Sequence, residues 1–226
     1  MKFSVLTLFP DVVRTYVQTS IVGRAQEAGV IGVTVVNPRD FSTDPHRKVD
    51  GSPYGGGSGM VLSCQPFESA WESLQPLQEP VRVLMTSPTG ARFDHGFAKG
   101  LVGCGEIVLF CGHYEGFDER LKLLITQIEE VSIGDFVLTG GELPALCILD
   151  TVTRLLPGAV QKFSSVENDS FYNGLLDYPH YTRPEVYKGL KVPDVLLSGN
   201  HAEIAKWRQA QALEKTQRVR PDLLSG

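Results

Sequence analysis

The chain has 226 residues, 42% of them hydrophobic, and a mean hydropathy of −0.05; this is a globular composition, with room for one large domain or for a domain and a smaller companion. No run approaches the roughly 18 apolar residues of a membrane span, and the first ten residues lack the small-residue cleavage site of a signal peptide. The net charge of −5 argues mildly against a nucleic-acid partner, but the charge is unevenly spread. Residues 1–161 carry 12 Lys and Arg against 18 Asp and Glu, a net −6, whereas residues 182–226 carry 8 against 5, a net +3. A basic end on an acidic body is either an electrostatic handle for phosphates or an ordinary helical surface, and charge alone does not choose.

In chain order, residues 3–9, 32–36, 81–85 and 106–110 are short apolar runs rich in β-branched residues, and 131–138 adds a fifth; these predict strands. Helical spacing runs from Val12 to Ala28 and ends at Gly29. It recurs at 66–77, 93–101 and 117–128, and most clearly at 143–156, where Pro157 and Gly158 stop it. Strands alternating with helices predict an α/β fold with a mostly parallel, helix-covered sheet. Residues 160–174 are polar without a period and predict an exposed, flexible linker. Residues 178–193 read as irregular, and a helix from about His201 to Leu213 follows, with a second short helix near the C-terminus. The expected organisation is therefore a domain at 1–160, a linker at 161–174 and a small, mostly helical domain at 175–226.

Cys64, Cys104, Cys111 and Cys147 form no Cys-x-x-Cys pair, and they read as reduced core or near-core residues of a cytosolic protein. The five histidines show no zinc-ligand spacing.

Three segments carry the chemistry. Residues 44–59 (DPHRKVDGSPYGGGSG) form a long irregular loop with three adjacent cations, His46, Arg47 and Lys48, and glycines that let backbone approach a ligand. Residues 111–120 (CGHYEGFDER) and 132–144 (SIGDFVLTGGELP) each leave an apolar run for glycines and acidic residues. Neither is a dinucleotide fingerprint or a phosphate-binding P-loop. Two glycine-kinked loops so close in sequence suggest backbone wrapped around a small cofactor.

These segments, with residues 179–185 (PHYTRPE) and 196–203 (LLSGNHAE), resemble the bacterial tRNA (guanine-N1)-methyltransferases of the TrmD family, SPOUT class, over nearly the whole chain. The resemblance implies transfer of a methyl group from S-adenosylmethionine to N1 of guanine 37, next to the anticodon, in support of reading-frame maintenance. It also implies a deep C-terminal trefoil knot in the parallel domain and a cytoplasmic homodimer whose active sites are built from both chains. Magnesium is a further family expectation, although no oxygen-ligand cluster is visible in the sequence. The family often has Arg where this chain has His113, and some members continue further past Pro221. The alternatives are a SPOUT methyltransferase acting on another tRNA or ribosomal RNA nucleotide, and a non-catalytic RNA-binding module.

The resemblance also assigns roles. Guanine N1 carries a proton at neutral pH and needs a general base, worth ~10²–10⁴-fold. Asp169 is the family's candidate, and ordering its loop over bound tRNA would desolvate it and raise its basicity. Arg154 would stabilise negative charge developing at guanine O6, although Asp150 and Arg154 are also spaced for an ordinary helical ion pair. Cofactor contacts are expected from Thr86, Ser87, Pro88, Gly112, Tyr114, Glu115 and Gly116, and from Ile133, Gly134, Asp135, Phe136, Val137, Leu138, Gly140, Gly141 and Pro144. Of these, Glu115 could bind a divalent ion, favour the sulfonium or cap structure. The tRNA candidates are His46, Arg47, Lys48, Asp50, Ser198, Asn200, His201 and Arg208.

Overall fold

A computed structural model describes residues 1–224; Ser225 and Gly226, at the end of the expected C-terminal domain, lie outside the described residues. By internal contacts the chain divides into two units, Met1–Gln161 and Lys162–Gly226.

The first unit runs β1 (Lys2–Leu6), α1 (Pro10–Val17), α2 (Ser20–Glu27), β2 (Gly32–Val36), β3 (Asp50–Gly51), β4 (Val61–Leu62), α3 (Cys64–Glu72), β5 (Val81–Arg92), α4 (His95–Leu101), β6 (Glu106–Phe110), α5 (Arg120–Leu124), β7 (Ile128–Ser132) and α6 (Glu142–Leu155). Successive side chains of a strand face opposite sides. In β1, β5 and β6 both sets contain buried apolar residues, the pattern of strands covered on both faces. Leu6, Val83, Met85, Val108 and Phe110 pack with Phe67 of α3 and Leu121 of α5 in one cluster. Their neighbours Phe3, Val5, Leu84, Ile107 and Leu109 are equally buried. α6 packs against α1, α2 and α4 and carries buried Leu146, Ile148, Leu149 and Val152. The resulting sheet has five strands in the order β2–β1–β6–β5–β7, all parallel, as the alternation of elements predicts.

Several local expectations change. The single helix over 12–28 is two helices, because the chain turns at Gln18 and Thr19; a Cβ on Gly23 would lie 2.7 Å from the Gln18 carbonyl carbon, so only glycine lets the second helix start so close to the first. The fifth strand ends at Ser132 rather than 138, because the Ser132 hydroxyl bonds Gly134 and turns the chain out of the sheet. The helix expected at 117–128 shrinks to α5, started by Asp118 Oδ1 accepting from the Arg120 backbone N–H at 3.0 Å. Cys147 is exposed rather than near the core, whereas Cys111 is buried. At the N-terminal end of β6, the buried Glu106 carboxyl accepts from Ser4 Oγ at 2.6 Å and pairs with Lys2 Nζ at 3.1 Å. That carboxyl ties β6 to β1.

The second unit contains α7 (Ser164–Glu167), the antiparallel pair β8 (Val186–Tyr187) and β9 (Leu190–Lys191), α8 (Asp194–Leu197), α9 (His201–Val219) and a short 3₁₀ turn, Pro221–Leu224. Thr216 is fully buried; its hydroxyl donates to Ala212 O at 2.7 Å and accepts from Leu176 N–H at 2.9 Å, which ties α9 to the stretch around 176. The polar stretch after 161 falls within this unit; it contains α7, with Val166 buried. Among the described residues no helix is long and apolar enough to cross a membrane.

Candidate active site

In a parallel sheet all C-terminal strand ends lie on one edge, where α/β proteins place ligands. Here the neighbouring strands β6, β5 and β7 feed three loops on that edge. β5 does not stop at 85: Thr86 and Ala91 both register with Val131 of β7, so residues 87–90 are looped out between them. Ser87 Oγ and Thr89 Oγ1 bond at 2.7 Å within that bulge. A Cβ on Gly90 would collide with the β7 backbone at Glu130 and Val131, so glycine is needed to close the bulge against the sheet.

After β6, Tyr114 adopts φ +58° and Gly116 φ +103°, and the chain reverses with Gly116 N–H donating to His113 O at 3.1 Å. This turn is pinned on its outer side. Glu115 N–H donates to Met60 O at 3.0 Å, Leu62 N–H to Gly116 O at 2.9 Å and Asp118 N–H to Leu62 O at 2.9 Å. Gly59, just before that tether, lies so close to Glu115 that a Cβ there would collide with the carboxylate side chain.

The loop after β7 then folds onto the loop after β6. Gly141 N–H donates to Gly112 O at 2.8 Å, and His113 and Gly140 form an isolated antiparallel bridge. Thr86 Oγ1 donates to Phe110 O at 3.1 Å and accepts from Gly112 N–H at 3.4 Å. The three loops enclose a cavity of about 440 Å³, within the size range of small-molecule sites.

Fifteen of the sixteen expected cofactor residues line it: Thr86, Ser87, Pro88, Gly112, Tyr114, Glu115, Gly116, Ile133, Gly134, Phe136, Val137, Leu138, Gly140, Gly141 and Pro144. Asp135 does not; it is exposed, at the middle of a turn closed by Phe136 N–H donating to Gly134 O at 2.9 Å. The lining includes groups that sequence reasoning missed, among them His113, Phe117, Glu119, Lys122 and Glu130. Lys122 Nζ lies 2.6 Å from Glu119 and 3.1 Å from Glu130; the bond to Glu119, reinforced by Glu130, pushes its ammonium above the usual lysine range. Glu119 lies in the 111–120 motif and Lys122 follows three residues on in α5, but Glu130 comes from β7, and only the fold brings it to them.

The cavity suits an adenosyl cofactor. Tyr114, Phe136, Val137, Leu138 and Pro144 supply apolar surface, and the glycines leave backbone N–H and C=O groups accessible to a planar base edge. Among the described residues no three His, Cys, Asp or Glu gather as a metal group, so the magnesium expectation finds no such cluster.

Of the expected catalytic pair, Arg154 sits half-buried in the last turn of α6. Its neighbour Asp150 accepts from the Tyr16 hydroxyl at 2.7 Å, which pushes the Tyr16 phenol up to about 12. Asp169 lies in the second unit, where it lines a cavity of about 300 Å³ with Asp177, Tyr178 and Arg208. The Arg208 guanidinium stands 5.0 Å from the Tyr178 ring centre, a cation–π arrangement. Asp177 Oδ2 bonds His180 Nε2 at 2.7 Å, while its buried Oδ1 has no hydrogen-bond partner among the described residues. The fold thus gathers Asp169 and Arg208, which the sequence keeps 39 positions apart, and adds Asp177 and Tyr178.

The remaining tRNA candidates fall in two places. His46, Arg47 and Lys48 are exposed on a turn organised by Asp44, whose Oδ1 accepts from His46 N–H at 2.7 Å and Lys48 N–H at 3.4 Å. Val49, fully buried, anchors that turn, and Asp50 follows in β3. Ser198 and Asn200 start α9: Asn200 Oδ1 accepts from Glu203 N–H at 3.3 Å, and Ser198 Oγ accepts from Asn200 N–H at 3.1 Å. Both side chains hold the helix start, and His201 is exposed beside them.

Comparison with known proteins agrees with this arrangement. Residues 1–226 match the family model described as tRNA (Guanine-1)-methyltransferase TrmD. A Synechocystis protein is 53% identical over 223 residues, covering 99% of this chain and 95% of its own. Proteins of Geobacter sulfurreducens and Ruminiclostridium cellulolyticum are 51% and 50% identical, covering 99% and 100% of this chain and 91% and 97% of theirs. All three carry the name tRNA (guanine-N(1)-)-methyltransferase. The chain belongs to the TrmD family of tRNA (guanine-1)-methyltransferases.

Proposed function

We propose that this protein is an S-adenosylmethionine-dependent enzyme that methylates N1 of guanine 37 in tRNA, next to the anticodon, and so supports reading-frame maintenance. The observation that carries the reading is the cavity walled by three interlocked loops at the C-terminal edge of β5, β6 and β7. Membership of the family supports the tRNA guanine substrate. Methyltransferase chemistry implies S-adenosylmethionine, which when bound supplies an electrophilic methyl group on a sulfonium.

The residues of the chain would then act as follows. Backbone of Gly112, Gly134, Gly140 and Gly141 reads the cofactor's base edge, and Tyr114, Leu138 and Pro144 exclude water from it. Asp169 Oδ accepts the proton of guanine N1, a step worth ~10²–10⁴-fold. Arg154 donates to O6, where negative charge develops as that proton leaves. His46, Arg47, Lys48, Asp50, His201 and Arg208 bind tRNA, with Ser198 and Asn200 shaping the start of α9.

The same reading includes a SPOUT knot in a catalytic domain at 1–160, a linker at 161–174 and a tRNA-binding domain at 175–226. It also includes a cytoplasmic homodimer with active sites built from both chains. Phe9 at the start of α1, Val12 and Tyr16 on α1, and Leu143 of α6 are exposed large hydrophobics on neighbouring helices of the first unit, a surface suited to burial against a second copy.

The test is methyl transfer from labelled S-adenosylmethionine to unmodified tRNA bearing guanine 37, with Asp169→Asn alongside. Wild type should methylate N1, and the variant should bind cofactor yet lose ~10²–10⁴-fold in rate. A wild-type enzyme that binds cofactor but leaves this tRNA unmethylated refutes the substrate; a fully active Asp169→Asn refutes the base.

A further inference from the structure

We infer that His113 is a positioning residue: its bond to Glu142 locks the loop after β6 to the loop after β7, and this lock sets cofactor affinity. The affinity claim rests on the cofactor reading above; the lock itself does not.

Glu142 opens α6 and is only 6% exposed. Its carboxyl has two oxygens to satisfy, and each has one side-chain partner from a different part of the sheet edge. Oε1 accepts from Thr7 Oγ1 at 2.5 Å, immediately after β1. Oε2 lies 2.7 Å from His113 Nε2, in the loop after β6. Facing a carboxylate, which only accepts, His113 can make this bond only as the Nε2 donor. Thr7 is itself held, since its hydroxyl accepts from Phe9 N–H at 2.9 Å. Glu142 thus ties together the ends of β1 and β6 and the start of α6.

Two backbone facts make this more than a local contact. His113 and Gly140 are bridged, and a Cβ on Gly140 would collide with the His113 ring and lie 2.7 Å from Glu142 Oε2. The side chain of His113 therefore occupies the space that a residue at 140 would otherwise fill. The next two residues after His113, Tyr114 and Glu115, line the cavity, as do Gly140 and Gly141. A buried carboxyl that loses one donor draws in water or moves, and either response parts the two walls. Burial pushes the Cys111 thiol well above its usual range, and the Glu142 charge adds to that, as a carboxylate facing this loop should.

A purely packing role for His113 is the competing explanation, because its ring lies 4.8 Å from that of Phe9. Two variants separate the roles. His113→Phe keeps a ring and removes the donor; His113→Gln removes the ring and keeps a donor in the place of Nε2. S-adenosylhomocysteine affinity is measured by calorimetry, and hydrogen exchange is followed at the Gly141 amide, which donates to Gly112 O. Protection of the β1 and β6 amides reports that each variant is folded.

The Phe variant should bind about tenfold or more weakly, with Gly141 exchange accelerated by a similar factor, while the Gln variant stays within about threefold of wild type in both. The KM for tRNA at saturating cofactor should be unchanged in both. A Phe variant indistinguishable from wild type, or a Gln variant as impaired as Phe, overturns the inference. A wild type that binds no S-adenosylhomocysteine overturns the cofactor reading and the affinity claim, while Gly141 exchange still decides whether the lock exists.

Discussion

Gly141→Ala tests the site at its narrowest point. Gly141 has φ −84° and ψ −4°, an ordinary right-handed conformation, so alanine meets no backbone penalty and any effect is steric. The added Cβ would lie 2.6 Å from Gly112 N and 2.8 Å from Cys111 Cα, and would overlap Thr86 Oγ1. Carbon needs about 3.5 Å from a non-bonded heavy atom, so the two loops must part by roughly 1 Å. The colliding atoms include backbone following a fully buried strand, which cannot swing aside as a side-chain tip would. Overpacking of this kind costs about 1–3 kcal/mol, and a misplacement of about 1 Å in a site costs ~10²-fold in turnover. Cofactor affinity should therefore fall about 10- to 100-fold in calorimetry, with methyl transfer falling at least as far. Gly100→Ala is the control: it sits on the exposed side of α4 with nothing within 4 Å of its Cβ position, and it should raise stability by about 0.5–1 kcal/mol without touching binding. A Gly141→Ala protein that binds S-adenosylmethionine as wild type does would refute the claim that the loops are held at contact distance.

Asp118→Asn probes the start of α5. Hydrogen bonds from the Arg120 side chain and backbone hold the Asp118 carboxyl well below the usual range. A depressed carboxylate contributes stability that is present above its unfolded pKa, about 3.9, and lost as pH falls toward the folded value. The variant should melt lower than wild type at pH 7, and the gap should narrow as both are titrated below about pH 4; a gap independent of pH would remove the ion pair from the account. Arg208→Ala removes the cation over Tyr178 from the Asp169 cavity. It should raise KM for tRNA and shallow the salt dependence by about one phosphate's worth, with S-adenosylmethionine affinity unchanged; tRNA kinetics equal to wild type would take Arg208 off the binding surface.

How legible the site was depends on what holds each part of it. The near-continuous apolar runs of β1, β5 and β6 announce a sheet buried on both faces, and the glycines at 112, 140 and 141 announce close backbone approach. Both are properties of neighbours in sequence. The bulge at 87–90 was readable only as a cofactor loop, because its register with Val131 depends on a strand 40 residues away. Residues 133–138 read as strand because Phe136, Val137 and Leu138 are apolar, but they stand exposed at the cavity, where a cofactor rather than a core would cover them. Glu142 lies in the 132–144 motif, but nothing in that segment marks what it bonds. Its bonds to Thr7 and His113 span 135 and 29 positions, beyond the reach of any local pattern. Asp177 was passed over for the same reason, since what marks it is a buried oxygen without a partner.

The two cavities differ in kind, and the difference follows from what each would hold. An adenine edge and a ribose are neutral, and backbone N–H and C=O groups can read them without the cost of burying charge. The cavity at the sheet edge is built mainly from glycines, a backbone bulge and apolar walls; of its charged groups, Glu119 and Glu130 share Lys122, and Glu115 adds a further carboxylate. A guanine that must give up a proton needs an acceptor that can change its charge, and an RNA backbone needs cations. The cavity of the second unit presents Asp169, Asp177 and Arg208, groups that would meet both needs under the proposed function. The division makes the variants separable: changes at Gly141 or His113 act on cofactor affinity first, and changes at Asp169 or Arg208 act on the tRNA-dependent step while leaving cofactor binding intact. An Asp169 or Arg208 variant that lost cofactor affinity, or a Gly141 or His113 variant whose KM for tRNA rose at saturating cofactor, with its fold intact, would show that the two cavities do not hold separate ligands.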